Sequence, residues 1–430
     1  MTSTQKAAGL TMLAALVVAR LTAAPPQTSA PPAFELPAPT GRSPVGTTSW
    51  RLTDRSRQET FAAPGTFRQV EVIAWYPAAP GGRGVVPYLR EGLAEVHPFA
   101  KLFGAETAFD GVQHVRTHAA LDAPPLANPG KFPVLVFSHG YTGMPSSYTA
   151  LLEDLASHGY AVLSVVHPYE ASMATLADGR VASILSKDGT FVQGVQDVIA
   201  EWHSEDETMA AVTRATDDAE QVRLLRGYLG GLHKTDVALR RWVDDTKLVL
   251  DRLGSLPTST IAGRLAATID LGRLGAFGHS MGGVTAGQFC VDDRRCRAGL
   301  NLDGIPQYGT MIDTPMPRPF LMVYSARPGR GGASDPIYRR AGHPYLRVDV
   351  RDTGHLEFSD MVFWGGPLRE RGVLGALAPA RAVEITRTIV RQYFDEMLLE
   401  KRSPLLAGEA LFPEVTVRTV PPPGASRDWD

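Results

Sequence analysis

The chain has 430 residues, of which 44% are hydrophobic and 20% charged, and carries a formal net charge of −2. This is the make-up of an ordinary globular protein, long enough for one large α/β domain. It argues against a general nucleic-acid surface, and no block of like charges marks an interaction tail.

The N-terminus has the pattern of an export signal. Lys6 precedes the apolar run Ala7–Ala19, and Thr22-Ala23-Ala24 offers small residues for cleavage, which gives a signal peptide over 1–24. The run is shorter than the ~20 residues a bilayer span needs, and Arg20 interrupts it. An uncleaved anchor is the competing reading. A secreted or periplasmic protein is therefore expected. Residues 25–45, with Pro25, Pro26, Pro31, Pro32, Pro37 and Pro39, are expected to form an extended or disordered linker. One domain then spans 46–420, and a disordered tail 421–430.

Thr47–Thr53 and Val70–Tyr76 are rich in β-branched and aromatic residues, and Pro77 ends the second. They predict an antiparallel hairpin at one edge of a sheet. Val134–Phe137 predicts a buried strand, Tyr148–Ser157 a helix and Ala161–Val166 the next strand, a unit that signals a parallel sheet. Residues 185–255 form a polar helical block, either a cap over a site or ordinary outer helices. Leu274–Phe277, Ala298–Leu302, Phe320–Tyr324 and Tyr345–Val350 predict further strands, and Pro379–Glu400 a long amphipathic helix. Only two cysteines occur, Cys290 and Cys296. In an exported chain they read as a small-loop disulfide, with two buried thiols as the competing reading.

The chemistry concentrates in Gly278-His279-Ser280-Met281-Gly282, a G-x-S-x-G motif between an apolar strand and a small-residue helix. That is the setting of a nucleophile elbow, in which a sharp turn lifts the serine hydroxyl clear of the sheet. A serine needs a base, and the base needs an orienting carboxylate. Of 11 histidines, His355 follows the last predicted strand through a glycine-containing loop, where this architecture puts the base. His139 lies in the loop after Phe137, and His279 is the variable residue of the elbow. His167, His203 and His233 have no partner pattern and read as structural or solvated. Asp303 and Asp335 both satisfy the order Ser…Asp…His. The oxyanion hole is assigned to the backbone N–H groups of Met281 and Tyr141.

Phe137-Ser138-His139-Gly140, Asp154-Leu155-Ala156-Ser157-His158-Gly159, the elbow and Leu302-Asp303-Gly304 occur in this order. Together they resemble the secreted platelet-activating-factor acetylhydrolases and their bacterial relatives, from about Val45 to His355. The resemblance implies an α/β-hydrolase fold with a mostly parallel sheet flanked by helices. It implies Ser280 as nucleophile, Asp303 as acid, His355 as base, and Tyr141 and Met281 as oxyanion donors. It also implies a calcium-independent reaction preferring short or oxidised acyl chains. Position favours Asp303 as well. It ends an apolar strand, whereas Asp335 follows a Gly- and Ser-rich loop expected to be mobile and wet.

Two features depart from the family. The helical block is longer than expected, and His139-Gly140-Tyr141-Thr142-Gly143 is also similar to the loop of bacterial polyester hydrolases and cutinase-like lipases, whose acid comes later. The expected function is thus a carboxylic ester hydrolase acting on a small-molecule or lipid ester, without metal or organic cofactor and without nucleic acid. A polyester or dienelactone-type hydrolase is the alternative, and a non-catalytic binding protein of the same fold is the alternative of another class. Oligomeric state and peripheral contact with a lipid surface are left open.

Overall fold

The computed structural model describes residues 34–105, 108–127, 130–339, 345–409 and 411–420. The predicted export segment 1–24 and the tail 421–430 lie outside the described residues. Among the described residues no helix is long and apolar enough to cross a membrane.

The strands are β1 (Val45–Gln58), β2 (Phe67–Pro77), β3 (Val85–Pro87), β4 (Arg116–Leu121), β5 (Phe132–Ser138) and β6 (Ala161–Val166). A small hairpin, β7 (Met173–Thr175) and β8 (Val181–Ser183), follows. Then come β9 (Ile269–His279), β10 (Cys296–Leu302), β11 (Phe320–Tyr324), β12 (Tyr345–Val350) and β13 (Val415–Val420). Apart from β7 and β8, all join one 11-stranded sheet in the order β13-β12-β11-β10-β9-β5-β6-β2-β1-β4-β3. From β12 to β6 the neighbours are parallel. This is the α/β-hydrolase fold.

The parallel core follows from its sequence. β5 is apolar except for its last residue, Ser138, and is buried along its whole length, as a strand covered on both faces must be. Its side chains alternate between the faces. Leu135 and Phe137 join a core with Leu151, Leu155, Ile389 and Phe394, from the helices Thr149–Ser157 and Pro379–Leu399. Val134 and Val136 join a core with Leu239, Val243, Val284 and Phe289, from the helices His233–Arg252 and Met281–Asp292. Gly275 of β9 lets the long C-terminal helix approach, since a Cβ there would lie 2.5 Å from Phe394.

This topology places the site. The chain runs from β5 to β6 on one side and returns to β9 on the other. The carboxyl ends of β5 and β9 therefore flank a switch point, where open α/β sheets bind ligands. The loops leaving those two ends are His139–Gly143 and the turn at Ser280.

Several expectations need correction. The β1–β2 hairpin is antiparallel as predicted, but it is not at the sheet edge. β2 pairs with β6, and β1 is flanked by β4. Among the described residues the edges are β3, only three residues long, and β13, which lies beyond the long C-terminal helix. The Pro-rich stretch is docked from Phe34 onward rather than free. The Phe34 ring packs on Phe363 and Tyr88, at 5.3 and 5.8 Å. Arg387 donates to the carbonyls of Pro37 and Ala38, at 2.8 and 3.0 Å. Prolines remove donors but leave carbonyls, and a buried arginine collects them.

The helical block divides between its two readings. His233–Arg252 is an outer helix packed on the helix after Ser280. The helices Gln193–Glu201 and Glu205–Arg214, with Trp202 between them, instead bring Trp202 against Tyr141 and Glu205 against Arg330, beside the carboxyl ends of the strands. Cys290 and Cys296 are disulfide-bonded with Cα atoms 5.0 Å apart, tying the end of the helix after Ser280 to the first residue of β10.

Candidate active site

Ser280 sits between β9 and the helix Met281–Asp292 with φ +55° and ψ −127°, a backbone conformation that L residues rarely adopt. Close packing enforces it. A Cβ on Gly282 would lie 2.0 Å from the Ser138 carbonyl oxygen, and one on Gly278 would lie 2.3 Å from the Gly282 backbone. The Ser280 N–H donates to the Leu302 carbonyl at 2.8 Å, so β10 holds the turn. Strain of this kind costs on the order of 1–3 kcal/mol, and the surrounding contacts must supply it.

Asp303 follows β10 and His355 follows β12, so both stand at the same end of the sheet as Ser280. His355 Nδ1 is 2.7 Å from Asp303 Oδ2. A carboxylate only accepts, so Nδ1 carries the proton and Nε2 is the free base. Asp303 is 0% exposed and receives Ser325 N–H on Oδ1 and Ser325 Oγ on Oδ2, each at 2.9 Å. Arg327 Nη2 is 2.8 Å from the same Oδ2. Burial opposes the ionised carboxyl, but Arg327, His355 and Ser325 together hold it well below the usual carboxylate range. The His355 side chain is 24% exposed, so solvent reaches it. Burial of the ring and the Arg327 charge push its pKa below the ordinary histidine value, against the pull of Asp303. No hydrogen bond joins Ser280 Oγ to His355 in this structure. Such a bond commonly tightens only when substrate is bound.

His279 links the parts. Its Nε2 is 2.8 Å from the His355 carbonyl and its Nδ1 is 2.9 Å from Tyr148 Oη, which in turn accepts the Gly140 N–H at 3.2 Å. Donor and acceptor chemistry fixes the order: Gly140 N–H to Tyr148, Tyr148 O–H to Nδ1, and Nε2–H to the His355 carbonyl. Burial lowers the His279 pKa to about 3, which keeps the ring neutral and able to accept at Nδ1. The variable residue of the elbow thus ties the His139–Gly143 loop to the backbone of His355. Sequence spacing gives no sign of this link.

Met281 directly follows Ser280, and Tyr141 lies in the loop that covers it. Met281 opens a helix, so its N–H has no intrahelical acceptor. In the loop above Ser280, the Gly140 N–H is taken by Tyr148 and the Thr142 N–H by the Glu170 carbonyl at 2.8 Å. The Tyr141 N–H lies between them. A Cβ on Gly140 would be 3.3 Å from Ser280 Cβ, which measures how closely this loop covers the serine.

Asp335 is not with them, and it is not in a wet loop. It is buried, accepting from Tyr324 and Tyr345 hydroxyls at 3.0 and 3.1 Å and pairing with Arg347 at 2.7 Å. Desolvation raises its pKa, against Arg347. Glycines in the preceding loop suggested mobility, but partners from β11 and β12 fix the carboxylate. Of the remaining histidines, His203 and His233 lie at the surface, whereas His167 is fully buried. His167 Nδ1 is 2.9 Å from Asp245 Oδ2 and its Nε2 is 3.3 Å from Ser138 Oγ, with the ring stacked on Trp242 at 4.0 Å. A second Ser–His–Asp chain therefore lies beneath the His139–Gly143 loop.

The family resemblance is borne out. The model of platelet-activating factor acetylhydrolase, isoform II, matches residues 84–221. The chain is similar to a platelet-activating factor acetylhydrolase of Canis lupus familiaris, 27% identical over 57% of this chain and 52% of that one. It is also similar to a probable 1-alkyl-2-acetylglycerophosphocholine esterase of Arthroderma benhamiae, 24% identical over 66% of this chain and 65% of that one. The match thus spans only about half the length of the dog protein. A ferulic acid esterase structure from Streptomyces cinnamoneus superposes with a TM-score of 0.66 at 27% identity, covering 90% of this chain and 99% of that one.

Proposed function

We propose that this protein is an exported serine carboxylic ester hydrolase that works through an acyl-enzyme. The observation that carries the reading is the 2.7 Å contact of His355 Nδ1 with buried Asp303, at the sheet end where Ser280 occupies its left-handed turn. His355 Nε2 takes the Ser280 proton as Oγ attacks the ester carbonyl. The oxyanion forms against the Met281 and Tyr141 N–H groups. Asp303 keeps the imidazole in the right tautomer and stabilises the imidazolium. His355 then protonates the departing alcohol, and water repeats the cycle on the acyl-enzyme. The sequence of steps draws on no metal or organic cofactor.

The substrate we propose is an ester of a short acyl chain, of the platelet-activating-factor type that the relatives' names give. The pairing of Asp303, rather than a later acid, with His355 supports this reading over a polyester or cutinase-like one. A second reading is an aryl-acid ester, favoured by the nearly complete coverage of the ferulic acid esterase. Comparing kcat/KM for 1-alkyl-2-acetylglycerophosphocholine, methyl ferulate and p-nitrophenyl esters of graded acyl length, with and without chelator, separates them. A preference for acetyl to butyryl esters that survives chelator fits the first. A maximum at palmitoyl esters, or loss in chelator, contradicts it.

A further inference from the structure

Three donors converge on one oxygen of Asp303. His355 Nδ1 lies at 2.7 Å, Arg327 Nη2 at 2.8 Å and Ser325 Oγ at 2.9 Å, all on Oδ2. Oδ1 receives only the Ser325 N–H, at 2.9 Å. A carboxylate oxygen offers about two lone-pair directions, so the donors on Oδ2 compete. Arg327 also reaches the Asp303 carbonyl at 3.3 Å, and its side chain is 22% exposed. It comes from the loop after β11, which Arg330 fastens to Glu205 and Asp206 of the helix Glu205–Arg214. The guanidinium is therefore held in place rather than swinging free.

We propose that Arg327 is a positioning residue that sets the lower pH limit at which His355 can serve as a base. This rests on the reading of His355 as the base. By sharing Oδ2, Arg327 withdraws part of the negative charge that would otherwise stabilise the imidazolium. By its own charge, it disfavours a second cation nearby. Both effects hold the ring in its neutral form as the medium becomes acidic. The other charged or titratable groups facing His355 are Asp303 at the end of β10, His279 at the end of β9, Glu205, and Glu357 of its own turn, whose carboxylate is taken up by the Gly354 and Gly375 N–H groups. His279 is kept neutral by burial, and Glu205 is engaged by Arg330. Arg327 is thus the close cation acting against imidazolium formation.

The sign is definite. Without Arg327 the imidazolium is less disfavoured, so His355 takes up its proton at higher pH and activity fails sooner on acidification. The test is the pH profile of kcat/KM for Arg327→Gln and Arg327→Lys on a p-nitrophenyl ester. For Arg327→Gln, the ratio of kcat/KM at about pH 5 to that at about pH 8 should fall at least about threefold below wild type. Arg327→Lys, which keeps the charge, should retain most of the wild-type ratio. A loss that is uniform across pH would reveal a merely structural role and overturn the proposal. So would an Arg327→Lys profile identical to that of Arg327→Gln. If Arg327→Gln turns over too slowly, NMR titration of the His355 ring answers the same question without turnover. An unmoved titration overturns the proposal. Failure of the base reading itself is recognised separately, by full activity in His355→Ala.

Discussion

The molecule contains two Ser–His–Asp groupings, and they differ both in access and in whether the serine is hydrogen-bonded to its histidine. In one, Asp303 orients His355 at 2.7 Å beside Ser280 in its left-handed turn. In the other, Asp245 holds His167 at 2.9 Å and His167 reaches Ser138 Oγ at 3.3 Å. The second is the more complete chain, since its serine bond is made. Yet Ser138, His167 and Asp245 are all buried. Ser138 ends a regular strand, and Arg68 neutralises Asp245 at 2.6 Å inside the core. Ser280 is lifted out of the sheet by its turn, and His355 is partly exposed. On the function proposed above, triad-like bonding serves two ends here: chemistry where the strand ends in a strained turn, and support where it does not. The buried chain supports the His139–Gly143 loop, because Ser138 precedes that loop and the His167 N–H donates to His139 Nε2 at 3.3 Å.

Substitutions should split the two chains. Ser280→Ala should lower kcat/KM by several orders of magnitude, while Ser138→Ala should stay within about tenfold of wild type. Asp303→Asn should cost about 10⁴ in rate through the wrong histidine tautomer, and Asp335→Asn should remain within about tenfold. Steady-state kinetics on one activated ester ranks all four variants.

Asp245→Asn should act mainly on stability. Breaking a buried pair leaves Arg68 under-compensated and typically costs about 3–5 kcal/mol, read by denaturant unfolding. Burial opposes the Asp245 carboxylate, but Arg68 and His167 hold its pKa well below the usual range. A depressed folded-state pKa contributes stability that is present above the unfolded carboxylate pKa and is lost as pH falls through the folded value. Wild type should therefore lose this contribution on acidification, and Asp245→Asn should show a flatter acid limb of stability against pH. The smallest effect expected is that of reducing Cys290–Cys296. It closes a short loop, so unfolding free energy should drop by about 2 kcal/mol with the active-site geometry kept.

What is legible in the sequence is what a local motif or the end of a strand decides. Ser280 could be read from a local pattern, because glycines within a few positions make its turn. His355 and Asp303 could be placed because each follows an apolar strand, and strand ends in a parallel sheet converge. The residues flanking Asp335 suggest a mobile loop, whereas Tyr324 of β11 and Tyr345 and Arg347 of β12 bury and fix it. His167 is a case of the same kind. Its carboxylate partner, Asp245, lies on a helix far along the chain, at no characteristic spacing. Likewise, the docking of residues from Phe34 onward depends on Arg387 of the last long helix. Local motifs and strand ends could be read, but the side chains that reach a buried group from other elements could not.

The central claim is that Ser280 is the reacting serine and Ser138 a buried support. Labelling the folded protein with a fluorophosphonate and mapping the adduct by peptide mass spectrometry tests it most directly. The account predicts one adduct, on the peptide carrying Ser280, with ester hydrolysis lost in proportion to labelling. An adduct on Ser138, or a protein that hydrolyses esters at full rate after Ser280 is labelled, would contradict it.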